Sequence, residues 1–378
     1  MTYQVDKITE IEVKLICVPL KKAVSDAKVI QGKQTPLKEV MITAAIIKTE
    51  AGYTGMGYTY CKRFGGPAQY ALAKEYAPLL IGEDPNDISR LWDKLLWSSI
   101  SIGDSGVAVQ AITPFDIALW DIKSQRAGFS LSKLLGQHKE FVPCYNTTGG
   151  FLQDSIDEVI AHAHSVLEQG VGGIKIKVGQ KDYMEDVRRV AALRKALGDD
   201  VPIMVDANQQ WDVSTALKAG KYFDEYNLVW LEEPVKAHDV DGHLRLSQVL
   251  GTPIATGEML TSFAEGLPYF EKRAFDVCQL DCPRIGGITQ YRKVIQRAEE
   301  NNITLAPHYS MELHLPLAAC YIGDAWVEHF EWFETVGLFN EKIELVDGKM
   351  KVPTRLGLGL SFNEATLPSL QLDATVFH

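Results

Sequence analysis

From Val142 onward the chain repeats one pattern, a short apolar run followed by a segment of helical periodicity. The runs are VPCYNT, GGIKIKVG, PIMVDANQ, LVWLEEP, PIATGE, VCQLDCPRIGG, ITLAPH and AWVEHFEW, eight in all. Strands that alternate with helices pair in parallel, because each crossover returns the chain to the same end of the sheet. Eight such units predict an α/β fold with a closed (β/α)8-type barrel, assigned to residues 141–335. The last two units leave little room for a regular final helix, so the barrel is expected to be modified there.

Residues 1–140 read as an α+β domain. The segments 8-ITEIEVKLICVPL-20 and 38-KEVMITAAIIKTE-50 alternate like half-buried strands, and 50-EAGYTGMGYTY-60 carries the glycines of a hairpin turn. Segments 67–82, 85–99 and 112–128 have the amphipathic pattern of helices, the last closed by a Gly stop signal. Residues 336–378 read as a β-ribbon and loop returning to the first domain.

Composition narrows the partners. The 378 residues are 46% hydrophobic, enough for one large core and a smaller second one. A net charge of −11 argues against nucleic acid, whose backbone needs clustered Lys and Arg, but leaves room for a small anionic ligand in a local cationic pocket. The six cysteines are scattered, and 278-CQLDC-282 lacks the second pair of a structural zinc site, so free thiols in a reducing compartment are expected. No run approaches the roughly 20 apolar residues of a membrane span, and the charged N-terminus lacks a signal-peptide core. A cytoplasmic location without membrane partners is expected.

Nearly every predicted barrel strand ends in a polar residue: Lys175 and Lys177, Asp206 and Asn208, Glu232, Glu258, Asp281, His308 and Glu328. C-terminal strand ends form one rim, where barrel active sites sit. Asp206, Glu232 and Glu258 are spaced 26 residues apart, one unit each. A single such acid is more often a helix cap or a rim ion pair. Three in register repel one another strongly unless a cation joins them, and all-oxygen ligation with open positions favours Mg2+, one ion per subunit. Glu233 is expected to face away from Glu232.

The remaining polar residues suggest bases. A lone histidine is usually a satisfied core residue, but Asp281 ends the strand beside that of His308, and an Asp–His pair fixes the tautomer and raises basicity. The histidines of 161-AHAH-164 sit two apart on a helix and are expected at the surface. Lys175 and Lys177 share one strand face, so Lys175 is expected to depress the pKa of Lys177 and leave part of it as free amine. Lys177 and His308 would then face each other across a metal-bound substrate, an arrangement suited to removing a proton beside a carboxylate.

The KxK pair, the Asp/Glu/Glu triad and the His–Asp pair together resemble the enolase superfamily, mandelate racemase subgroup, over essentially the full chain. The resemblance implies that the first domain, with the C-terminal segment, caps the barrel mouth. It implies Mg2+ at Asp206, Glu232 and Glu258, with Lys177 on one face of the substrate and His308, oriented by Asp281, on the other. Lys175 and Asn208 would meet the substrate carboxylate or its surroundings, and Glu328 would donate a hydrogen bond to an enediolate oxygen. Segments such as 24-VSDAKVIQGKQTPL-37, 58-YTYCKRFGG-66 and 306-APHYSMELH-314 are similar to the superfamily's dehydratases of sugar diacids. By that resemblance Ser25, Lys28, Lys62 and Arg63 reach the mouth to bind a distal carboxylate, and the assembly is a homo-oligomer. Racemisation or epimerisation, or dehydration of a monoacid sugar, would use the same machinery. A non-catalytic metal scaffold would have no need of Lys177, His308 and Asp281, and a metal-dependent aldolase would not need the paired bases.

Overall fold

The structure, a computed structural model, describes residues 6–378. Strands β1 (Ile8–Val24), β2 (Leu37–Thr49) and β3 (Thr54–Lys62) form an antiparallel meander, as their alternating patterns predict. The helix Val107–Ala127 packs on this sheet. It lies so close that a Cβ at Gly55 or Gly57 would come within 2.1 Å of the carbonyl of Ala118 or Pro114, so only glycine fits at either position.

The barrel strands are β4 (Phe141–Asn146), β5 (Ile174–Lys177), β6 (Ile203–Asp206), β7 (Leu231–Glu232), β8 (Ile254–Thr256), β9 (Val277–Cys278), β10 (Thr304–Leu305) and β11 (Val327–His329). Strands β4 to β10 neighbour one another in chain order, all parallel. β11 pairs with β4, and a parallel bridge between Leu305 and Ala325 joins it toward β10, closing the ring. The barrel is modified where the sequence suggests, since its last helices, Met311–Ala318 and Trp332–Val336, are short.

Helix starts explain how the rim is held. Ser155, Asp182, Asp212, Asp239 and Ser262 each cap their own helix by accepting from a backbone N–H of its first turn. The helix Ile288–Asn301 starts after Gly287 and has no side-chain cap of its own. Asp116, from the helix Val107–Ala127, supplies it by accepting from Thr289 N at 3.0 Å and from the Thr289 hydroxyl. A Cβ at Gly287 would meet Asp116 Oδ2 at 2.4 Å, so this joint between the two parts requires glycine.

Under the rim, Tyr145, Met204, Trp230, Ala255, Val277 and Ala306 fill the barrel as an apolar floor. The C-terminal segment differs in part from the expectation. Its ribbon, Leu345–Val346 and Lys349–Lys351, pairs with β4 of the barrel, and only Gln371–Phe377 joins the first sheet, along the edge of β1. The six cysteines are free thiols. Among the described residues no helix is long and apolar enough to cross a membrane.

Candidate active site

Strand β5 ends in Ile-Lys-Ile-Lys, and its pleat turns both lysines inward, where they are buried. Each ammonium meets carboxylates from other strands. Lys175 Nζ donates to both oxygens of Glu232, at 2.8 and 2.9 Å, and lies 3.1 Å from Glu328. Lys177 donates to Asp206. The structure therefore corrects the expected free amine. Burial pulls the Lys177 pKa down and Lys175 adds to that, but the Asp206, Glu258 and Glu232 carboxylates together outweigh both and the net shift is upward.

Asp206, Glu232 and Glu258 converge at the ends of β6, β7 and β8, with one oxygen of each within 4.8 Å of the others. Burial pushes the Glu232 carboxyl up to about 8, with Asp206 and Glu258 repelling it and Lys175 opposing. Glu258 is held down at about 2, because Lys177, Lys28 and Lys62 outweigh its burial. Asn208 donates to Asp206 through its backbone N–H and its side-chain amide, leaving its own buried Oδ1 without a partner. Three clustered carboxylates and a spare amide oxygen form a hard, oxygen-only donor set that fits Mg2+. A cation there would also relieve the crowding that raises Glu232.

His308 follows β10. Its Nδ1 lies 2.9 Å from Asp281 Oδ2, so the expected pair forms. Tyr60, on β3, joins it by donating its phenol to the same Asp281 oxygen, with its own oxygen 3.0 Å from Nδ1. On the other side Nε2 lies 3.1 Å from Lys62 Nζ and 3.3 Å from Glu258. Burial, followed by the Lys62 ammonium, pushes the imidazole pKa well down, so His308 is neutral with Nε2 free to accept. Burial likewise raises Asp281, to about 7, against the hydrogen bond from Tyr60.

Several expectations need revision. Glu328 is an acceptor here, not a donor: Thr147 donates to Oε1 at 2.6 Å, Tyr309 N to Oε2 at 2.7 Å, and Lys175 lies alongside. Burial raises the Glu328 pKa, but the Lys175 charge, with help from the Thr147 hydrogen bond and Lys177, outweighs that and holds it near 2, ionised. Lys175 is sealed beneath Glu232 and Glu328 and does not line the mouth. Ser25 sits in the seam beside the barrel, its N–H bonded to Gln153 Oε1 at 2.7 Å, and does not line the mouth either. Glu233 is wholly buried near Glu258, Asp206 and Lys28, and burial raises its pKa. Of the two helical histidines His164 is exposed, whereas His162 is half-buried with Nε2 3.1 Å from Asn146.

Lys28, Lys62, Arg63, Lys177, Asn208, Glu258, His308 and Glu328 line a closed mouth of about 60 Å³. Arg63 and Lys28 flank Asp26, at 3.4 and 3.8 Å. Outside it a cavity of about 610 Å³ shares Lys62 and Arg63 and adds Lys33 and Phe64. The inner space is about that of two waters at roughly 30 Å³ each, less than a six-carbon ligand fills. Left-handed backbone at Asn208, Gln209, Glu233, Tyr309 and Ser310 concentrates strain on this rim. The sequence reading missed Tyr60; its signal was its place two residues before Lys62 on a strand whose alternate residues face the barrel.

Comparisons with known proteins agree with this geometry. Residues 21–136 match the mandelate racemase/muconate lactonizing enzyme N-terminal domain, and residues 158–366 match the enolase C-terminal domain-like family. An L-talarate/galactarate dehydratase of Salmonella typhimurium is 51% identical over 95% of this chain and 90% of its own length. A crystal structure of the Salmonella typhimurium enzyme, liganded with Mg and L-lyxarohydroxamate, superposes with a TM-score of 0.96 at 48% identity, covering 100% of this chain and 97% of that one. L-talarate dehydratase from Polaromonas, complexed with Mg and L-glucarate, gives 0.95 at 51% identity, covering 98% and 99%. With both domain models matched and a full-length relative above half identity, the chain belongs to the mandelate racemase/muconate lactonizing enzyme family of the enolase superfamily.

Proposed function

We propose that the protein is a Mg2+-dependent hydro-lyase that dehydrates the six-carbon sugar diacids galactarate and L-talarate to a common keto-deoxy diacid. The observation that carries this reading is the placement of Lys177, on β5, and His308, after β10, on nearly opposite walls of one carboxylate-ringed mouth. The names of the similar enzymes support the same substrate class.

Asp206, Glu232 and Glu258 would hold Mg2+, which supplies stabilisation for the negative charge that develops on the substrate carboxylate. Lys177 and His308 approach the α-carbon from two faces. With Asp206 taken up by the ion, Lys177 would lose the partner that keeps it protonated and could serve as a free amine; whichever of the two bases lies on the side of the α-proton then accepts it as the C–H bond breaks, and the electron pair stays with the substrate. The β-hydroxyl then takes a proton from the base that has become protonated and leaves as water, and the resulting enol becomes the 2-keto acid as its O–H proton is exchanged for one on the β-carbon. Diacids epimeric at the α-carbon present their proton to opposite faces, so a two-base site starts from either. Lys28 and Arg63, which line the mouth beside Asp26, would meet the distal carboxylate.

The test is a screen of sugar acids and diacids with Mg2+, following the 2-keto product. Galactarate and L-talarate should both be consumed, and excess chelator should stop turnover until Mg2+ is restored. The monoacid galactonate lacks one charge, so its kcat/KM should be lower by about 1.5–3 kcal/mol. Faster turnover of galactonate, or full activity in chelator, overturns the assignment. Inversion at the α-carbon without loss of water would make the enzyme an epimerase.

A further inference from the structure

Above the apolar floor the barrel carries a layer of polar side chains at the ends of the alternate strands β5, β7, β9 and β11. Its members are Lys175, Glu232, Gln279 and Glu328, all buried. Gln279 belongs to it because Val277 faces the floor, and residues two apart on a strand share a face. The pleat holds past the end of β9, where the Gln279 N–H still bonds the carbonyl of Thr256 at 2.9 Å. Gln279 is the uncharged member and does not line the mouth. Its amide nitrogen donates to Glu232 Oε2 at 2.6 Å. Trp230, one layer down on the chain of β7, donates its indole N–H to the same oxygen at 3.0 Å. Lys175 adds a third donor there at 2.9 Å, while among the described residues Oε1 accepts from Lys175 alone, at 2.8 Å.

We propose that Gln279 and Trp230 are positioning residues of the metal centre, which restrict Glu232 to ligation through one oxygen and so favour Mg2+ over Ca2+. This rests on the assignment of Mg2+ to Asp206, Glu232 and Glu258. A carboxylate oxygen offers about two lone-pair positions, so the donors on Oε2 fill it and the open position of Glu232 lies on Oε1. Lys175 spans both oxygens and reaches Glu328 as well, so the two donors particular to Oε2 are Gln279 and Trp230. Ca2+ takes about six to eight oxygens in flexible arrangements and gains from carboxylates that give both, whereas Mg2+ keeps a small octahedral set. Both donors are neutral, so they fix the carboxylate without cancelling the charge that attracts the ion. Packing alone does not explain a glutamine here. Its Oε1 is buried without a partner among the described residues, a cost that an apolar side chain of the same size would avoid. Turning the amide would set that oxygen against the carboxylate, so only the observed orientation serves Glu232.

The test is calorimetric titration of the full chain, freed of metal with chelator and dialysed, with MgCl2 and separately with CaCl2. Gln279→Met keeps the size of the side chain and removes its donor. The Mg2+ Kd should rise about tenfold to a hundredfold in this variant, while the Ca2+ Kd stays within about threefold of wild type. The preference for Mg2+ therefore narrows by about threefold or more. Trp230→Phe, which takes a different donor from the same oxygen, should narrow it in the same direction. A role confined to packing would weaken both cations alike. Equal weakening of Mg2+ and Ca2+, or wild-type Mg2+ affinity in Gln279→Met, overturns the proposal. Should Gln279→Met be unfolded at the titration temperature, the same ratio in Trp230→Phe decides. A wild type that binds no Mg2+ removes the metal assignment and this proposal with it, whereas Mg2+ binding in the wild type leaves the variants to decide the proposal alone.

Discussion

At the residue scale, the chain solves the problem of two buried like charges by giving each lysine its own carboxylate. Lys175 serves Glu232 and Glu328 from below, and Lys177 meets Asp206 at the edge of the mouth. Only Lys177 lines the space a substrate would enter, which separates a structural cation from a candidate base. Lys177→Ala and His308→Ala should each stop dehydration. Solvent-deuterium exchange at the α-carbon should separate them, because each residue reaches a different face. Wild-type kcat on every sugar acid in either variant would remove that residue from the mechanism. Asp281→Asn should be milder than loss of His308, since it disturbs the tautomer and leaves the imidazole present. Residue types and spacing already pointed to these groups. The protonation state of Lys177 and the acceptor role of Glu328 were not legible, because both depend on which donors fall within 3 Å.

At the element scale, β3 and the helix Val107–Ala127 form the hinge between cap and barrel chemistry. β3 carries Tyr60 and Lys62, and its path is set by the approach of Gly55 and Gly57 to the helix backbone. Gly57→Ala should therefore cost about 1–3 kcal/mol by overpacking, and should lower kcat as well, since a strand pushed off the helix shifts Tyr60 and Lys62 relative to His308. A melt that shows destabilisation with wild-type kcat in the remaining folded protein would mean that β3 does not position the centre.

The joint at Asp116 carries a pH signature. Burial raises its pKa to about 7, against the hydrogen bonds from Thr289 and the N–H of Ile288 and the charge of Arg292. An unfolded aspartate titrates near 3.9, so between roughly pH 4 and 7 the folded chain holds a proton that the unfolded chain has lost. Its contribution to stability is therefore present below that window and falls as pH rises through it. Asp116→Asn does not titrate, so denaturant melts should show it gaining on the wild type, by at most a few kcal/mol, from pH 4 to 8. A pH-independent difference would refute the assignment.

At the scale of the whole molecule, the first and last strands are one device. Gln371–Phe377 covers the edge of β1, in register from Ile11 opposite Phe377 to Leu15 opposite Asp373. Removing residues 371–378 would leave a long β1 edge unpaired, a site for intermolecular pairing. That truncation should melt earlier and elute partly as aggregate on size exclusion, whereas the ribbon on β4 should be unaffected. A monodisperse truncated protein of wild-type stability would show that the cap does not need its last strand.

What the sequence by itself determined is the barrel, the rim and the chemistry that gathers there. Strand–helix alternation admits few folds, and a barrel brings every strand end to one mouth regardless of separation along the chain. Asp206, Glu232, Glu258, Asp281 and His308 could therefore be named without coordinates. Only the tertiary structure decided what meets them from outside the barrel. No periodicity relates Tyr60 to His308, 248 positions away, or Asp116 to Thr289, and whether Lys62 faces a distal carboxylate or a catalytic nitrogen turns on how one sheet sits on another. Nor could spacing show that Ser25 belongs to a seam, that Glu233 is buried, or that the ribbon joins the barrel. Charge states were decided last, because a buried group's pKa is set by its neighbours within a few ångströms, and those of Glu258 (Lys177, Lys28 and Lys62) come from three separate elements.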